Sequence, residues 1–301
     1  MIIAIVGPTA TGKTAASLEL ARAVRAGKLP GYRDAEIINA DAMQLYRGMD
    51  IGTAKVGPEI RAEVTHHQLD VLDVSEDASV AAYQRYARAD IAAIKARGNL
   101  PIVVGGSGLY VRALLDVIEF PGTDPELRAA LQAEAERVGA EVMHARLAAV
   151  DPESAARLEA ANTRRVIRAL EVFELTGRPF SATMPRREYV APARQFGLID
   201  ETEPLAERIA ARTEQMWRDG IVGETRRLIA ADWGKTASKA TGYPQCEAYL
   251  RGELSADEAK AAITLATSQL ARKQRSWFRA DPRITWLSPS RGGEIVSMLG
   301  A

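Results

Sequence analysis

The stretch GPTATGKT, residues 7–14, constrains the fold of this chain more than any other. It matches the phosphate-binding P-loop pattern G-x-x-x-x-G-K-[ST] at every fixed position. An apolar run at 2–6 precedes it and a helical pattern follows it, which is the strand–loop–helix context that the pattern requires. Backbone N–H groups in such a loop form an anion site at the helix N-terminus. The predicted phosphate-binding residues are Gly7, Pro8, Thr9, Ala10, Thr11, Gly12, Lys13 and Thr14.

Two more apolar runs extend this start into a sheet. AEIINAD at 35–41 and LPIVVGGSG at 100–108 have the continuous apolar character of strands buried on both faces. Between them lies an amphipathic helical pattern, with Ser79 as its N-cap and Gly98 beyond its end. This alternation predicts a P-loop NTPase-like α/β fold, a parallel sheet with helices on both faces.

The pattern changes in the middle of the chain. From about 121 to 180 every stretch is helical, with Asp124-Pro125 and Asp151-Pro152 marking helix starts. Strand patterns return at 194–199 and at 283–287. We therefore expect a core whose first part is residues 1–120, an inserted all-helical domain at 121–193, and a second core part at 194–301.

Polar residues follow two of the predicted strands. Asp41 and Ser107 come directly after the second and third strands, so both are expected at the same sheet edge as the P-loop. Asp41 could hold Mg²⁺, act as a general base, or cap the next turn. Ser107, in GGSGLY, could hydrogen-bond a phosphate or simply turn the chain.

Charge is balanced overall and concentrated locally. The 39 Lys and Arg residues equal the 39 Asp and Glu residues, so a nucleic-acid surface has to be a local patch. Two segments are basic, 162–194 and 271–283, and the second includes Trp277 and Phe278. Each segment could bind nucleic acid or be a solvated helix face. The arginines of the first segment are Arg164, Arg165, Arg168, Arg178, Arg186, Arg187 and Arg194.

Two further features exclude classes of protein. One cysteine, Cys246, rules out an internal disulfide framework and a four-cysteine zinc site. No apolar run approaches the roughly 20 residues of a membrane span, and the N-terminus reads as a strand. We expect a cytoplasmic protein.

The order of the motifs resembles that of the bacterial tRNA dimethylallyltransferases, nearly end to end. The matching stretches are GPTATGKT, NADAMQLYRGMDIGTAK, HHQLDV, VVGGSGLY, RRVIRALEVFELTG, GY and QLARKQRSWFR. The resemblance implies transfer of the dimethylallyl group of dimethylallyl diphosphate to N6 of adenosine 37, which forms isopentenyladenosine in the anticodon stem-loop. The P-loop would hold the diphosphate with Mg²⁺. Nothing in the sequence indicates an obligate protein partner, so we expect a monomer.

The resemblance also implies residue roles. Asp41 would be the general base, while Lys13, Thr14 and Ser107 would stabilise the leaving diphosphate and Thr14 would hold the metal. Two positions depart from the family: Pro244 stands where many relatives are basic, and Ser107 replaces a common threonine. The tRNA-binding residues would be Asp41, Ala42, Met43, Gln44, Arg164, Arg165, Arg168, Lys239, Gly242, Tyr243, Arg272, Lys273, Arg275 and Arg279.

Three other functions compete with this one. An adenylate isopentenyltransferase that acts on free AMP or ADP would share the P-loop and Asp41, but it has less need of two basic segments. A small-molecule kinase would use the same loop to hold ATP. A non-catalytic RNA-binding protein would bind tRNA without forming a product.

Overall fold

A single parallel sheet organises the structure, a computed structural model that describes residues 1–183, 187–199, 205–288 and 294–300. Within these residues the strand order is β3-β2-β4-β1-β5-β6, with every neighbouring pair parallel. The predicted strands are confirmed within a few residues, whereas β3 is too short to leave a pattern in the sequence. The strands are β1 (Ile2–Val6), β2 (Ala35–Asn39), β3 (His66–His67), β4 (Leu100–Gly105), β5 (Ala193–Leu198) and β6 (Ile284–Leu287).

Helices connect these strands and begin where the sequence signals them. Ser79 accepts a hydrogen bond from the Ala82 amide, and Asp124 and Asp151 cap their helices in the same way. The helices are α1 (Lys13–Arg25), α2 (Pro58–Glu63), α3 (Val80–Ala96), α4 (Gly108–Leu115), α5 (Pro125–Val138), α6 (Ala140–Val150), α7 (Pro152–Arg157), α8 (Thr163–Thr176), α9 (Leu205–Asp219), α10 (Ile221–Ala230), α11 (Tyr243–Leu250), α12 (Ala256–Arg279) and α13 (Glu294–Gly300).

Both faces of the sheet are covered. Alternate side chains of β1 point to opposite faces because the strand repeats every two residues. Ile2, Ala4 and Val6 pack with α3 and α4 on one face, and Ile3 and Ile5 pack with α1 on the other. The predicted fold class is therefore confirmed, and the apolar run of β1 is explained by burial on both sides.

The chain divides into two compact units. The sheet unit comprises Met1–Leu115 and Tyr189–Ala301, and the helical unit comprises Asp116–Glu188. Their boundaries lie a few residues before the predicted 121 and 193. The reason is local: the Val190 amide donates to the Leu115 carbonyl, which draws the residues before β5 into the sheet unit.

The helical unit has a core of its own. Leu131, Met143, Leu147, Val166 and Leu170 are buried together between α5, α6 and α8. No strand occurs among its described residues, as the sequence predicts. In neither unit does a described helix have the length and apolar character for a membrane crossing.

Candidate active site

A cavity of about 360 Å³ lies where β1, β2 and β4 end. The three predicted polar segments, the P-loop, the Asp41 segment and the glycine turn after β4, all contribute to its wall. In the sheet, β1 lies between β4 and β5. From β1 the chain passes over β4 to reach β2 on one side, and from β4 it passes over β1 to reach β5 on the other side. The cavity therefore lies where the strand order changes direction. Its lining consists of residues 9–15, Asn39, Asp41, Gln44, Thr53, Ala54, Val104, Gly105, Gly106 and Arg212.

The P-loop takes its shape from two glycines. Gly7 has a φ of +139°, and a Cβ there would lie 2.6 Å from the Leu198 carbonyl oxygen. Gly12 has a φ of +81° and precedes the first turn of α1. The Thr11 hydroxyl donates to the Pro8 carbonyl at 2.9 Å, which fixes the intervening turn. The loop thus brings the N-terminus of α1 to the cavity, where its unpaired N–H groups favour an anion.

Two cations face this part of the cavity. The Lys13 ammonium donates to the Pro8 carbonyl. The Arg212 guanidinium, which comes from α9, donates to the Thr9 hydroxyl at 3.0 Å. Loss of water around the ammonium lowers the pKa of Lys13 to about 8; the Asp41 carboxylate opposes this shift and Arg212 adds to it. Desolvation also lowers the pKa of Arg212. A bound anion would favour both charged forms.

Asp41 combines a capping role with a place in the cavity. Its carboxylate accepts a hydrogen bond from the Met43 amide at 3.0 Å, which caps the short 3₁₀ helix Ala42–Leu45. The Asn39 side chain holds the backbone of Asp41 in place, accepting from its amide and donating to its carbonyl, each at 2.9 Å. The capping alternative therefore holds, and Asp41 also lines the cavity.

Ser107 lies outside the cavity lining and contacts the segment that carries Asp41. The cavity lining includes Gly105 and Gly106 but not Ser107. Its hydroxyl instead accepts a hydrogen bond from the Ala42 amide at 3.2 Å, next to Asp41. Among the described residues this contact links the glycine turn after β4 to the Asp41 segment.

Gln274 joins the far end of the chain to the P-loop. Its side-chain oxygen accepts from the Thr9 amide at 2.8 Å. A Cβ on Gly106 would lie 2.4 Å from the Gln274 Nε2, so a larger residue there would require the Gln274 side chain to shift. Sequence reasoning missed Gln274, Arg212 and Asn39 as site residues. Asn39 lies inside the stretch that pointed to Asp41, whereas Arg212 belongs to no motif.

The predicted tRNA-binding residues fall into several groups. Gln44 lines the cavity, and Ala42 and Met43 beside it are half-buried. On α12 the basic side chains at 272, 273 and 279 are exposed and that at 275 is half-buried. Trp277 is 43% exposed, whereas Phe278 is 3% exposed and belongs to the core. Of the two aromatic residues in this basic segment, Trp277 is therefore available to contact a nucleic acid, whereas Phe278 is a core residue.

The predicted tRNA-binding arginines of the helical unit differ in exposure and in their contacts. Arg164 and Arg165 are exposed on α8. Arg168 is bound to its own unit: it donates to the Glu171 carboxylate at 2.8 Å and to the Pro121 carbonyl at 2.7 Å. Arg186 lies outside the described residues.

Tyr243 requires a correction. It was expected to contact tRNA, but its side chain is fully buried and its hydroxyl donates to Glu224 at 2.8 Å. A side chain in that position has no surface to offer a nucleic acid. Lys239, a few residues earlier, is exposed, and Gly242 adopts a φ of +104° just before α11.

A family model described as IPP transferase matches residues 44–281. The chain belongs to the IPP transferase family. The chain is 51% identical to the tRNA dimethylallyltransferase of Salinispora arenicola (strain CNS-205) over 302 residues. The alignment covers 100% of this chain and 86% of that relative. That of Paenarthrobacter aurescens (strain TC1) is 54% identical over 288 residues, covering 95% and 90%.

Solved structures agree with the fold of this IPP transferase family member. The full-length tRNA isopentenylpyrophosphate transferase of Bacillus halodurans is 35% identical, with a TM-score of 0.69 over 99% of this chain and 95% of that one. A eukaryotic dimethylallyltransferase acting on tRNA is 24% identical, with a TM-score of 0.80 over 96% of this chain and 73% of that one. The second likeness concerns the fold alone.

Proposed function

We propose that this chain is a tRNA dimethylallyltransferase that forms isopentenyladenosine at position 37. It moves the dimethylallyl group from dimethylallyl diphosphate to N6 of adenosine 37, in the anticodon stem-loop of tRNA. The observation that carries the proposal is the cavity, which has two desolvated cations at one end and a carboxylate within their electrostatic reach. Family membership supports the same reaction.

The phosphate end suits a diphosphate leaving group. As the bond between the allylic carbon and the diphosphate oxygen breaks, negative charge grows on the leaving group. Lys13, Arg212 and the N–H groups at the start of α1 supply positive charge at this end. Because these groups are already in place, they need little reorganisation as the charge develops.

The donors at this end also fit a magnesium ion. Mg²⁺ binds through few protein oxygens and through substrate phosphates. No cluster of three or more His, Cys, Asp or Glu side chains suited to a metal occurs among the described residues, so an all-protein metal site is not indicated there. Thr14 lines the cavity and its hydroxyl is the candidate ligand. When bound, Mg²⁺ would neutralise charge on the diphosphate.

The carboxylate end suits the acceptor. The N6 amine of adenine is a weak nucleophile because its lone pair is delocalised into the ring. As the N6–C bond forms, the amine loses a proton, and the Asp41 carboxylate is the group in the cavity that takes it. Gln44 lines the same wall, and a side-chain amide can pair with an adenine edge.

A large acceptor explains the exposed part of the second basic segment. The target base has to leave its stack to enter a cavity of this size. Arg272 and Lys273 are exposed on the same helix that carries Gln274 to the P-loop. Cations at these positions would neutralise phosphates of the RNA backbone while the base occupies the cavity.

The deciding experiment offers labelled dimethylallyl diphosphate and Mg²⁺ with two acceptors. One is unmodified tRNA with an A36-A37-A38 anticodon loop and the other is AMP. Label on N6 of adenosine 37 alone is the expected result. Label on AMP with tRNA untouched would indicate an adenylate isopentenyltransferase. If neither acceptor is labelled, ATP turnover and tRNA binding are measured next. ATP turnover would indicate a kinase, and tRNA binding without product would indicate a non-catalytic binder.

A further inference from the structure

A buried carboxylate is connected to the part of the cavity wall that Gln44, Thr53 and Ala54 form. Glu224, on α10, is 1% exposed. It accepts hydrogen bonds from three consecutive backbone amides: from Asp50 at 3.1 Å, from Ile51 at 2.9 Å and from Gly52 at 3.1 Å. Successive amides that converge on one anion form a strong, charge-assisted site. The turn at 50–52 is therefore bound to α10 through one side chain.

Tyr243 also contacts the Glu224 carboxylate, and its ring limits the size of the residue at position 52. Its hydroxyl donates to the same carboxylate at 2.8 Å. A Cβ on Gly52 would lie 2.5 Å from the Tyr243 ring, so a larger residue at this position would collide with the ring. Lys55 holds the other end of the segment: its buried ammonium donates to the Tyr46 carbonyl at 2.6 Å and to Asp50 at 2.8 Å.

The turn leads directly into the cavity. Thr53 and Ala54, which follow it, line the wall. The Thr53 carbonyl accepts a hydrogen bond from the side-chain amide of Gln44 at 3.0 Å. The contacts thus run from Glu224 to the turn, from the turn to Thr53, and from Thr53 to Gln44.

We propose that Glu224, assisted by Tyr243, is a positioning residue for the tRNA acceptor: it holds the turn that fixes Gln44 beside Asp41. The inference rests on the proposed function, because it assumes that the acceptor base enters at Gln44. The phosphate end has other supports, Arg212 and Gln274, which reach the P-loop directly. Loss of Glu224 therefore affects the acceptor and spares the diphosphate.

The test compares Glu224→Gln with wild type in steady-state kinetics, varying each substrate in turn. The substitution keeps the shape but points an NH₂ group at backbone donors. We expect kcat/KM for tRNA to fall ~10- to 100-fold, the cost of a small misplacement near the chemistry. KM for dimethylallyl diphosphate stays unchanged. Thr225→Val is the matched control: Thr225 is equally buried on α10, yet its hydroxyl donates within the helix, to Ile221. It should leave both kinetic constants for both substrates unchanged.

Two further variants keep the test decisive if Glu224→Gln does not fold. Tyr243→Phe removes one donor and leaves the turn bound, so kcat/KM for tRNA should fall only about 3-fold, the worth of a modest hydrogen bond. Gln44→Met should cost as much as Glu224→Gln, and the double variant should cost no more than either, because the two residues act through one contact.

Equal losses for both substrates, or additive losses in the double variant, would overturn the inference and reduce Glu224 to a structural residue. An unchanged kcat/KM for tRNA would do the same. Wild-type protein is measured in parallel. If it failed to modify tRNA, the proposed function itself would fail, and that result is separate from any variant.

Discussion

The helical unit and the phosphate end of the cavity differ in whether their desolvated charges are paired. In the helical unit, Glu171 is fully buried and every side of it is satisfied: Arg128 donates at 2.7 Å, Arg168 at 2.8 Å and the Asp124 amide at 3.0 Å. Burial by itself would raise the pKa of Glu171, but the two arginines and the Asp124 amide together outweigh it and lower the pKa. Here, paired charge holds helices together.

At the phosphate end, Lys13 and Arg212 belong to none of the ion pairs found among the described residues. Their pKa values are lowered by desolvation, so the fold keeps these cations at a cost. A structure retains such groups where a ligand brings the missing charge. A count of basic residues therefore does not locate a site, whereas desolvated cations outside any ion pair indicate one.

The largest effect is expected at Asp41, the carboxylate that acts on both cations. Asp41→Asn retains an oxygen for the Met43 amide but cannot accept a proton. We expect kcat to fall by roughly 10²- to 10⁴-fold, the usual contribution of a general base. Single-turnover transfer and tRNA binding measure the two quantities separately, and tRNA affinity should be retained. A wild-type rate would end the assignment of Asp41 as the base.

Arg212→Ala tests the phosphate end itself. Transfer should fall by roughly 10²- to 10³-fold, as when one preorganised donor is removed from a developing negative charge. The melting temperature should stay the same or rise, because a desolvated cation is removed. Differential scanning calorimetry and kinetics on one preparation check both. Lower stability with a normal rate would make Arg212 a structural residue and break the comparison.

Glu171→Gln makes the opposite change in the helical unit. Removing a buried carboxylate leaves two arginines with one fewer partner, and both are partly exposed, which reduces the cost. We expect a loss of about 2 kcal/mol in the free energy of unfolding, measured in urea. KM for dimethylallyl diphosphate should not change; a rise would show that the paired charges also serve the cavity.

The pH dependence separates the two kinds of charge again. The ammonium form of Lys13 is the form that attracts a diphosphate, and it is lost as pH rises through its pKa of about 8. In the free enzyme, kcat/KM for dimethylallyl diphosphate should therefore fall above that pH, by about 10-fold per unit. Lys13→Arg keeps its charge and should remove this alkaline limb. A limb that persists in Lys13→Arg would belong to another group.

The smallest effects are expected at the exposed cations of α12. Arg272→Ala and Lys273→Ala should each weaken tRNA binding a few-fold and lower the slope of log affinity against log salt by about 0.7 per lost phosphate contact. Arg251→Ala is the control, since Arg251 is exposed but paired with Glu247 and Glu253. Equal slopes for all three variants would return this part of α12 to a solvated helix face.

Local patterns predicted much of this molecule. The P-loop, the strand ends and the caps at Ser79, Asp124 and Asp151 each depend on residues close together in the chain. The convergence of Asp41 with the P-loop also followed, because parallel strands end at one edge of a sheet.

Distant contacts could not be predicted in this way. Gln274 meets Thr9 across 265 positions, and Glu224 meets Asp50 across 174. A buried Glu and a buried Tyr on helices read as ordinary polar residues until the turn they hold is seen. Tyr243 shows the risk of the opposite step: its place in a matching motif suggested a surface role, and burial reversed it.

The position of β1 has a consequence for how the protein is made. One edge of β1 pairs with β4, but the other pairs with β5, which the ribosome delivers only after the helical unit. At synthesis rates of roughly 5–20 residues per second, the central strand keeps an open, apolar edge for several seconds. An open edge of that kind invites pairing with another chain. The nascent protein is therefore most vulnerable to aggregation after β4 has emerged and before β5 arrives, a window set by the length of the insertion.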